Sequence, residues 1–221
     1  MIPLRAVLTG DIVHSTGLPK ELRAALPGIL RGISASTESL FGNSVRHPID
    51  IFRGDSWQLL VEDAPAALRI AIFVRASLRS AFETARMDTR IAIGIGTVDF
   101  VPEHEISGGD GEAFRLSGQA LDEMGRGFRM ALVLPDRLSL PFGRTLDAMA
   151  KLIDVQAASW TQRQAFAVSK ALLGLTQEEI GTEWMESPIS QQTVAQHLAS
   201  AGWNAIEYAL AATEAVRLTG P

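Results

Sequence analysis

The fold is organised around residues 50–60, which read Asp-Ile-Phe-Arg-Gly-Asp-Ser-Trp-Gln-Leu-Leu. We predict strands over 49–52 and 56–61, because a Gly-Asp pair between apolar runs is typical of a hairpin loop. Gly54 supplies the positive φ that such a turn needs. The turn leaves Asp55 at the start of the returning strand, where a carboxylate beside a glycine can hold a metal ion or a phosphate. The alternative is that Asp55 is only a turn residue, because aspartate is common in turns.

The segments around the hairpin predict an α+β fold. Apolar runs and helical periodicity place the other strands at 5–9, 90–97 and 129–134, and helices at 20–40, 64–82 and 112–123. The first six elements follow the strand–helix–strand–strand–helix–strand order of a ferredoxin-like fold. Because a right-handed crossover makes strands one and two parallel, strand three should be an antiparallel neighbour of strand one. Asp11, just after strand one, is therefore expected to lie beside Asp55.

Two further features of this half of the chain predict packing. Small residues alternate along strand four, which indicates that a helix or a ligand lies close over it. Three arginines, Arg75, Arg79 and Arg86, share one side of the second helix. We interpret them as a solvated face of that helix.

Composition limits the classes of partner and compartment. The chain has 221 residues, a net charge of −5 and no cysteine, so no overall basic field attracts nucleic acid or anionic lipid, and disulfides and thiolate metal sites are excluded. The N-terminus lacks the pattern of a signal peptide, and no apolar run approaches the roughly 20 residues that span a bilayer. We expect a cytoplasmic protein without a membrane partner.

The composition changes near residue 148, where strand-like runs end, and we predict two domains, 1–148 and 149–221. The second should be all helical, with helices over 161–173, 175–185, 190–201 and 205–218. Thr176 and Glu179 form a capping box, Ser190 caps the third helix, and Asn204 with Glu207 caps the fourth. Gly202 ends the third helix. The tryptophans at 160, 184 and 203 are expected in the core of this module.

This tail resembles the helix-turn-helix of bacterial regulators, with 190–201 as the recognition helix. The residues of that helix that could read base edges in DNA are Gln191, Gln192, Thr193, Gln196 and His197. The helix contains no lysine or arginine, and residues 151–221 hold four basic against seven acidic residues. Since phosphate neutralisation supplies much of the affinity for DNA, the alternative is a helical module that packs on the first domain or on a second copy.

Two aspartate motifs carry a second resemblance. Residues 9–16, Thr-Gly-Asp-Ile-Val-His-Ser-Thr, resemble the first metal-aspartate motif of class III nucleotidyl cyclases, and residues 52–57 resemble their hairpin motif. Residues 93–97 look like the following strand of that family, and residues 111–114 like the start of its last catalytic helix. The whole chain, with its tail, resembles the SatD-like family of bacterial proteins.

The cyclase resemblance implies a site for a nucleoside triphosphate with its metal ions. Asp11 and Asp55 would hold one or two Mg²⁺ or Mn²⁺ ions, which can neutralise a leaving pyrophosphate. Backbone N–H groups of the loop after strand one would surround phosphate oxygens. The implied phosphate-binding residues are Ile12, Val13, His14, Ser15, Thr16, Gly54 and Arg115.

Departures from the cyclase pattern affect base recognition and catalysis. Ile51 replaces the base-reading lysine, and Gly108 stands where its partner is expected. Arg115 and Gln119 stand where an asparagine and an arginine would stabilise the transition state. The sequence therefore favours a homodimeric transcription regulator with a degenerate nucleotide-binding sensor domain and a DNA-binding tail. The alternatives are an active magnesium-dependent nucleotidyl cyclase or related nucleotidyltransferase, and a non-catalytic interaction module.

Overall fold

The computed structural model describes residues 3–52, 54–82, 87–103, 105–138 and 143–216. Its strands form one five-stranded sheet in the order β2-β3-β1-β4-β5. The strands are β1 (Arg5–Ile12), β2 (Asp50–Phe52), β3 (Ser56–Val61), β4 (Thr89–Gly96) and β5 (Met130–Val133). Neighbouring strands are antiparallel except for β4 and β5. The chain is thus a mixed α+β structure, and the predicted antiparallel pairing of strands one and three is confirmed.

The helices of the described residues agree closely with the periodicity of the sequence in the first half of the chain. They are α1 (Lys20–Phe41), α2 (Ala67–Ser80), α3 (Glu112–Glu123), a short α4 (Asp136–Leu138), α5 (Arg144–Ala158), α6 (Gln162–Leu172), α7 (Gln177–Thr182), α8 (Gln191–Ser200) and α9 (Trp203–Glu214). Of these, α4 and α5 were not predicted. Within the described ranges, none of the helices combines the length and apolar character that crossing a membrane requires.

The predicted hairpin is present, but β3 begins at Ser56, so Asp55 lies in the turn rather than at the start of the returning strand. Gly54 adopts a φ of 84°, and the register pairs Phe52 with Ser56. Trp57 is fully buried beneath β1, where Gly10 leaves room for its ring. The hairpin is therefore anchored in the core although its tip is exposed.

One face of the sheet carries α3. A Cβ atom on Gly94 would lie 2.5 Å from the backbone nitrogen of Ser117, and one on Gly96 would lie 3.0 Å from that of Ala113. Such contacts require glycine, which confirms that a helix lies close over strand four. Val7, Leu60 and Phe114 pack on this side.

The other face is continuous with the helical tail. A single cluster of buried apolar residues includes Leu8 of β1, Ile72 of α2, Ile153 of α5 and Leu198 of α8. The tryptophans at 160, 184 and 203 belong to it, as predicted. The predicted boundary between residues 148 and 149 lies inside α5, so the sheet and the tail share a core across that position.

Two sequence predictions are wrong in this region. Arg75 and Arg79 are buried rather than solvated, because acidic partners from other elements compensate their charge. Arg86 lies outside the described residues. Gly202, with a φ of 75°, precedes the first residue of α9, so Asn204 is inside the helix and is not its cap. The capping box of Thr176 with Glu179 and the Ser190 cap are confirmed.

Candidate anion-binding site

Asp11 and Asp55 lie at the same end of the sheet. Asp11 is opposite Ser56 in the register of β1 and β3, and the backbone nitrogen of Ile12 donates to the Asp55 carbonyl at 3.1 Å. The Ser15 hydroxyl donates to the Asp55 carboxylate. The loop after β1 and the tip of the hairpin are thereby joined.

Both carboxylates already have partners. Arg90 of β4 donates from Nε to Oδ1 of Asp11 at 2.9 Å and from Nη2 to Oδ2. This bond raises the pKa of the Arg90 guanidinium. Across the described residues, no three histidine or acidic side chains are grouped closely enough to hold a metal ion. In the structure Asp11 could hold a Mg²⁺ or Mn²⁺ ion together with Asp55 only after its ion pair with Arg90 is broken.

The loop after β1 presents backbone donors. His14 is left-handed, with φ 57° and ψ 31°, and a 3₁₀ turn follows at Ser15–Gly17. A left-handed residue followed by a right-handed one aims successive N–H groups at one point, which suits an anion. The N–H groups of His14, Ser15 and Thr16 make no hydrogen bond with the described residues. Those of Ile12 and Val13 donate to the carbonyls of Asp55 and Asp88, which corrects the prediction for these two donors.

A cleft of about 500 Å³ opens beside this loop, and we call it the arginine cleft. Its lining residues are Val13, His14, Arg90, Met124, Gly125, Arg126, Phe128 and Arg129. Arg90 is paired with Asp11 and Arg129 with Asp88, whereas Arg126 is exposed and has no ion-pair partner among the described residues. Guanidinium groups suit phosphate because their planar fork can donate two parallel hydrogen bonds.

Sequence reasoning missed all three arginines of the cleft. The signal that could have found two of them is the run Gly-Arg-Gly-Phe-Arg at 125–129, a basic, glycine-containing loop between a helix and a strand. Arg90 had no such signal, because its position next to Asp11 depends on the pairing of β1 with β4.

Behind the cleft lies a buried group of charges that we call the ionic cluster; its members are Arg75, Arg79, Asp88, Arg129 and Asp154. Asp88 accepts from Arg75 at 2.8 and 3.0 Å, from Arg79 at 2.8 Å and from Arg129. Asp154 of α5 accepts from Arg75 at 2.6 Å and from the Arg129 backbone nitrogen at 2.6 Å. Burial would raise the pKa of the Asp88 carboxyl, but the three arginines outweigh it and hold that pKa below its ordinary value. Arg129 therefore belongs to both the cleft and the cluster.

The other predicted phosphate contacts lie elsewhere. Arg115, on α3, donates to Asp110 at 2.6 Å and is not part of the cleft lining. Gly54 is at the exposed tip of the hairpin. A cavity of about 580 Å³ between α3 and the segment after β5 is lined by Glu112, Glu123, Asp136 and Arg137 among others, and its carboxylates disfavour a phosphate.

The predicted DNA-reading residues are only partly free. Gln191, Gln192 and Gln196 are exposed on α8, whereas the Thr193 hydroxyl bonds to that of Ser190. His197 stacks on Trp184 with ring centroids 5.1 Å apart. Burial, followed by the charge of Arg163, lowers the pKa of His197.

The cations of the tail are compensated. Lys151 pairs with Asp147, Arg163 with Glu186 and Lys170 with Glu183. Arg217 lies outside the described residues. The described part of the tail thus offers little uncompensated positive charge beside α8.

No protein-family model and no curated protein matches the chain. Solved structures that are similar to the chain include three nucleotidyl cyclases. The guanylyl cyclase Cya2 is 19% identical at a TM-score of 0.40, with 60% of this chain and 77% of that chain covered. The adenylyl cyclase CyaB from P. aeruginosa is 20% identical at a TM-score of 0.40, with 61% of this chain and 77% of that chain covered. A bacterial light-regulated adenylyl cyclase is 16% identical at a TM-score of 0.41, with 60% of this chain and 43% of that chain covered. At TM-scores below 0.5 these similarities assign neither a family nor an activity to the chain.

Proposed function

We propose that this protein binds a phosphate-bearing ligand, a nucleotide, in the arginine cleft. The observation that carries the proposal is the position of Arg126, which is exposed and unpaired among the described residues, in the same cleft as Arg90, Arg129 and the loop after β1. A phosphate in the cleft can accept from guanidinium groups and from the backbone donors of His14, Ser15 and Thr16. Val13 and His14 of the loop line the cleft, and the N–H groups of His14, Ser15 and Thr16 donate to no described residue, so a phosphate need not displace an existing backbone hydrogen bond of these three groups.

The proposed role is regulatory. Arg129 lines the cleft, and its pairing with Asp88 connects the cleft to the ionic cluster that holds α5 of the tail. A phosphate competes with Asp88 for the Arg129 guanidinium, so binding changes the contacts that position α5. A ligand shifts a conformational equilibrium only when it binds the two states differently, and Arg129 supplies that difference.

Calorimetric titration of the protein with ATP, GTP and inorganic triphosphate tests this proposal. We expect saturable binding that weakens as salt concentration rises, because exposed charges are screened. Repeating the titration with Mg²⁺ and with a chelator decides the predicted role of the cation at Asp11 and Asp55. Absence of binding to any of these ligands at low salt would contradict the proposal.

The rival function is nucleotidyl cyclase activity, which the meeting of Asp11 and Asp55 at one end of the sheet favours. We expect no appreciable turnover, because Asp11 is held by Arg90, and because Arg115 and Gln119 replace the asparagine and arginine that the cyclase resemblance implies for stabilising the transition state. Incubation with each of the four nucleoside triphosphates and Mn²⁺, followed by chromatography, checks this. Cyclic or linked nucleotide that disappears in Asp11→Ala would establish the enzyme instead.

The sequence allows two functions for the tail, which are DNA binding by α8 and contact with protein. The charge pattern favours a protein contact, because the described tail cations are each paired with an acidic residue and phosphate neutralisation drives DNA binding. A gel-shift assay against a pool of random duplexes at low salt measures the alternative. Retention that is lost in Gln192→Ala/Gln196→Ala, but not in Gln177→Ala on α7, would establish DNA binding by α8.

A further inference from the structure

Helices α5 and α9 expose an unusual amount of apolar surface. The three most exposed large hydrophobic side chains in the described part of the chain are Tyr208 at 79%, Leu152 at 73% and Val155 at 62%. Leu152 and Val155 are on α5, and Tyr208 is on α9. Large apolar patches on a folded protein mark sites of interaction.

These side chains lie on continuous stripes. On α5, the exposed residues Ala148, Leu152 and Val155 follow the spacing of one helix face. On α9, the exposed residues Ala205, Tyr208 and Ala212 do the same. Since Ile206 and Leu210 are buried on the inner side of α9, this helix is apolar on both sides, which is typical of a helix enclosed by protein.

A groove of about 260 Å³ separates the two stripes. Its lining is mostly apolar, with Met149, Leu152, Ile153, Ala205, Ile206 and Ala209 among its residues. We call the two stripes with this groove the α5–α9 face. The small side chains of α9 leave the depth that a ridge of larger side chains needs for ridge-into-groove packing.

The face also has flanking charges of both signs. Arg144 precedes the α5 stripe by one helical turn, and Glu207 lies beside Tyr208 on α9. Both are exposed, and neither has an ion-pair partner among the described residues. A surface that binds a strongly charged partner carries charges of one sign. The α5–α9 face instead combines ridges, a groove and charges of both signs, so it is complementary to a second copy of itself.

We propose that the α5–α9 face joins two copies of this chain across a two-fold axis. In such an isologous interface the α5 ridge of each copy occupies the groove of the other, and Arg144 of one copy pairs with Glu207 of the second. The sequence predicted a homodimer from other considerations; the proposal locates its interface in the tail. It is independent of the arginine cleft.

Light scattering and sedimentation of the full chain test the interface. At tens of micromolar protein we expect twice the chain mass of 23.8 kDa. Leu152→Glu/Tyr208→Glu should give the monomer mass with an unchanged circular dichroism spectrum, whereas the control Leu40→Glu, at an exposed leucine on α1, should remain dimeric. A monomeric mass for the wild-type protein at this concentration would overturn the proposal. The α5–α9 face would then be a contact site for a different protein or for the ends of the chain.

A charge exchange tests the arrangement within the dimer. Arg144→Glu and Glu207→Arg should each weaken the dimer, because each places like charges opposite one another. The double variant should regain most of the wild-type dissociation constant. If a dimer persists in Leu152→Glu/Tyr208→Glu, or if Arg144→Glu/Glu207→Arg dissociates as readily as either single charge variant, the proposed interface is wrong.

Discussion

Gly10 helps to set the position of Asp11, near the end of β1. A Cβ atom there would lie 2.5 Å from the Trp57 ring and 2.7 Å from the carbonyl oxygen of Arg90. Trp57 donates to the Thr89 hydroxyl at 3.0 Å, and that hydroxyl donates to the Asp11 carbonyl at 2.7 Å. The close contact of Gly10 with the indole therefore keeps the end of β1 in place beside the arginine cleft.

We expect Gly10→Ala to lower the free energy of unfolding by roughly 1–3 kcal/mol, the usual cost of forcing extra volume into a packed core. Urea denaturation followed by far-UV circular dichroism measures it. The control is Gly32→Ala on α1, where a Cβ atom meets nothing within 4 Å. That change should stabilise the protein by about 0.5–1 kcal/mol, because alanine favours a helix. Equal effects of the two substitutions would contradict the close contact.

Single residues differ in how far the sequence predicted them. Gly54 and Asp55 were predictable because turn chemistry is local. The partners of Asp11 were not, because Arg90 reaches it only through the register of two strands far apart in the chain. Asp11 and Asp55 were expected to hold metal ions together. In the structure Arg90 binds the Asp11 carboxylate and the Ser15 hydroxyl binds that of Asp55.

At the scale of elements, Asp88 connects β4, α2 and the segment before β5. Its side chain is 1% exposed and accepts hydrogen bonds from three arginines. We expect Asp88→Asn to destabilise the fold by about 3–5 kcal/mol, because removal of one partner leaves buried guanidinium charges uncompensated. Asp122→Asn, on the exposed side of α3, is the control and should change stability by less than about 0.5 kcal/mol. Chemical denaturation of both variants gives the comparison.

The same carboxylate makes stability depend on pH. Since the folded pKa of Asp88 is lowered, its contribution is complete above the ordinary pKa of an unfolded aspartate, about 3.9. It is lost as the pH falls from there through the folded pKa, because the unfolded chain then binds more protons. We expect the stability gap between wild type and Asp88→Asn to be constant from pH 5 to 7 and to shrink below about pH 4. A gap that widens on acidification would contradict the ionic cluster.

Helix α2 shows why sequence periodicity predicted where a helix lies in the chain but not whether its arginines are buried or exposed. Its periodicity located the helix to within a few residues, and arginines spaced along one side normally indicate solvent. Here that side meets Asp154 of α5 and the Trp160 carbonyl of the segment between α5 and α6, and both accept hydrogen bonds from the guanidinium groups. Helical periodicity contains no information about which distant acids will compensate a buried charge.

At the scale of the molecule, the composition change near residue 148 predicted a helical tail but not its union with the sheet. The core is continuous across α5, and the ionic cluster links α2, β5 and α5. We therefore expect one cooperative unfolding transition. Tryptophan fluorescence, which comes mainly from the tail, and far-UV circular dichroism should give the same urea midpoint. Two separated midpoints would instead support independently folded domains at 1–148 and 149–221.

The arginine cleft is tested most directly by the nucleotide affinities of two arginine variants compared with wild type. Arg126 lines the cleft, whereas Arg115, the arginine that the sequence predicted, pairs with Asp110 outside it. We predict that Arg126→Gln weakens ATP or GTP binding by about 10- to 100-fold. This factor corresponds to the loss of one hydrogen bond to a charged group, which contributes about 1.5–3 kcal/mol. Arg115→Gln should leave the dissociation constant unchanged. Weakening by Arg115→Gln with none by Arg126→Gln would contradict the cleft and restore the phosphate site that the sequence predicted.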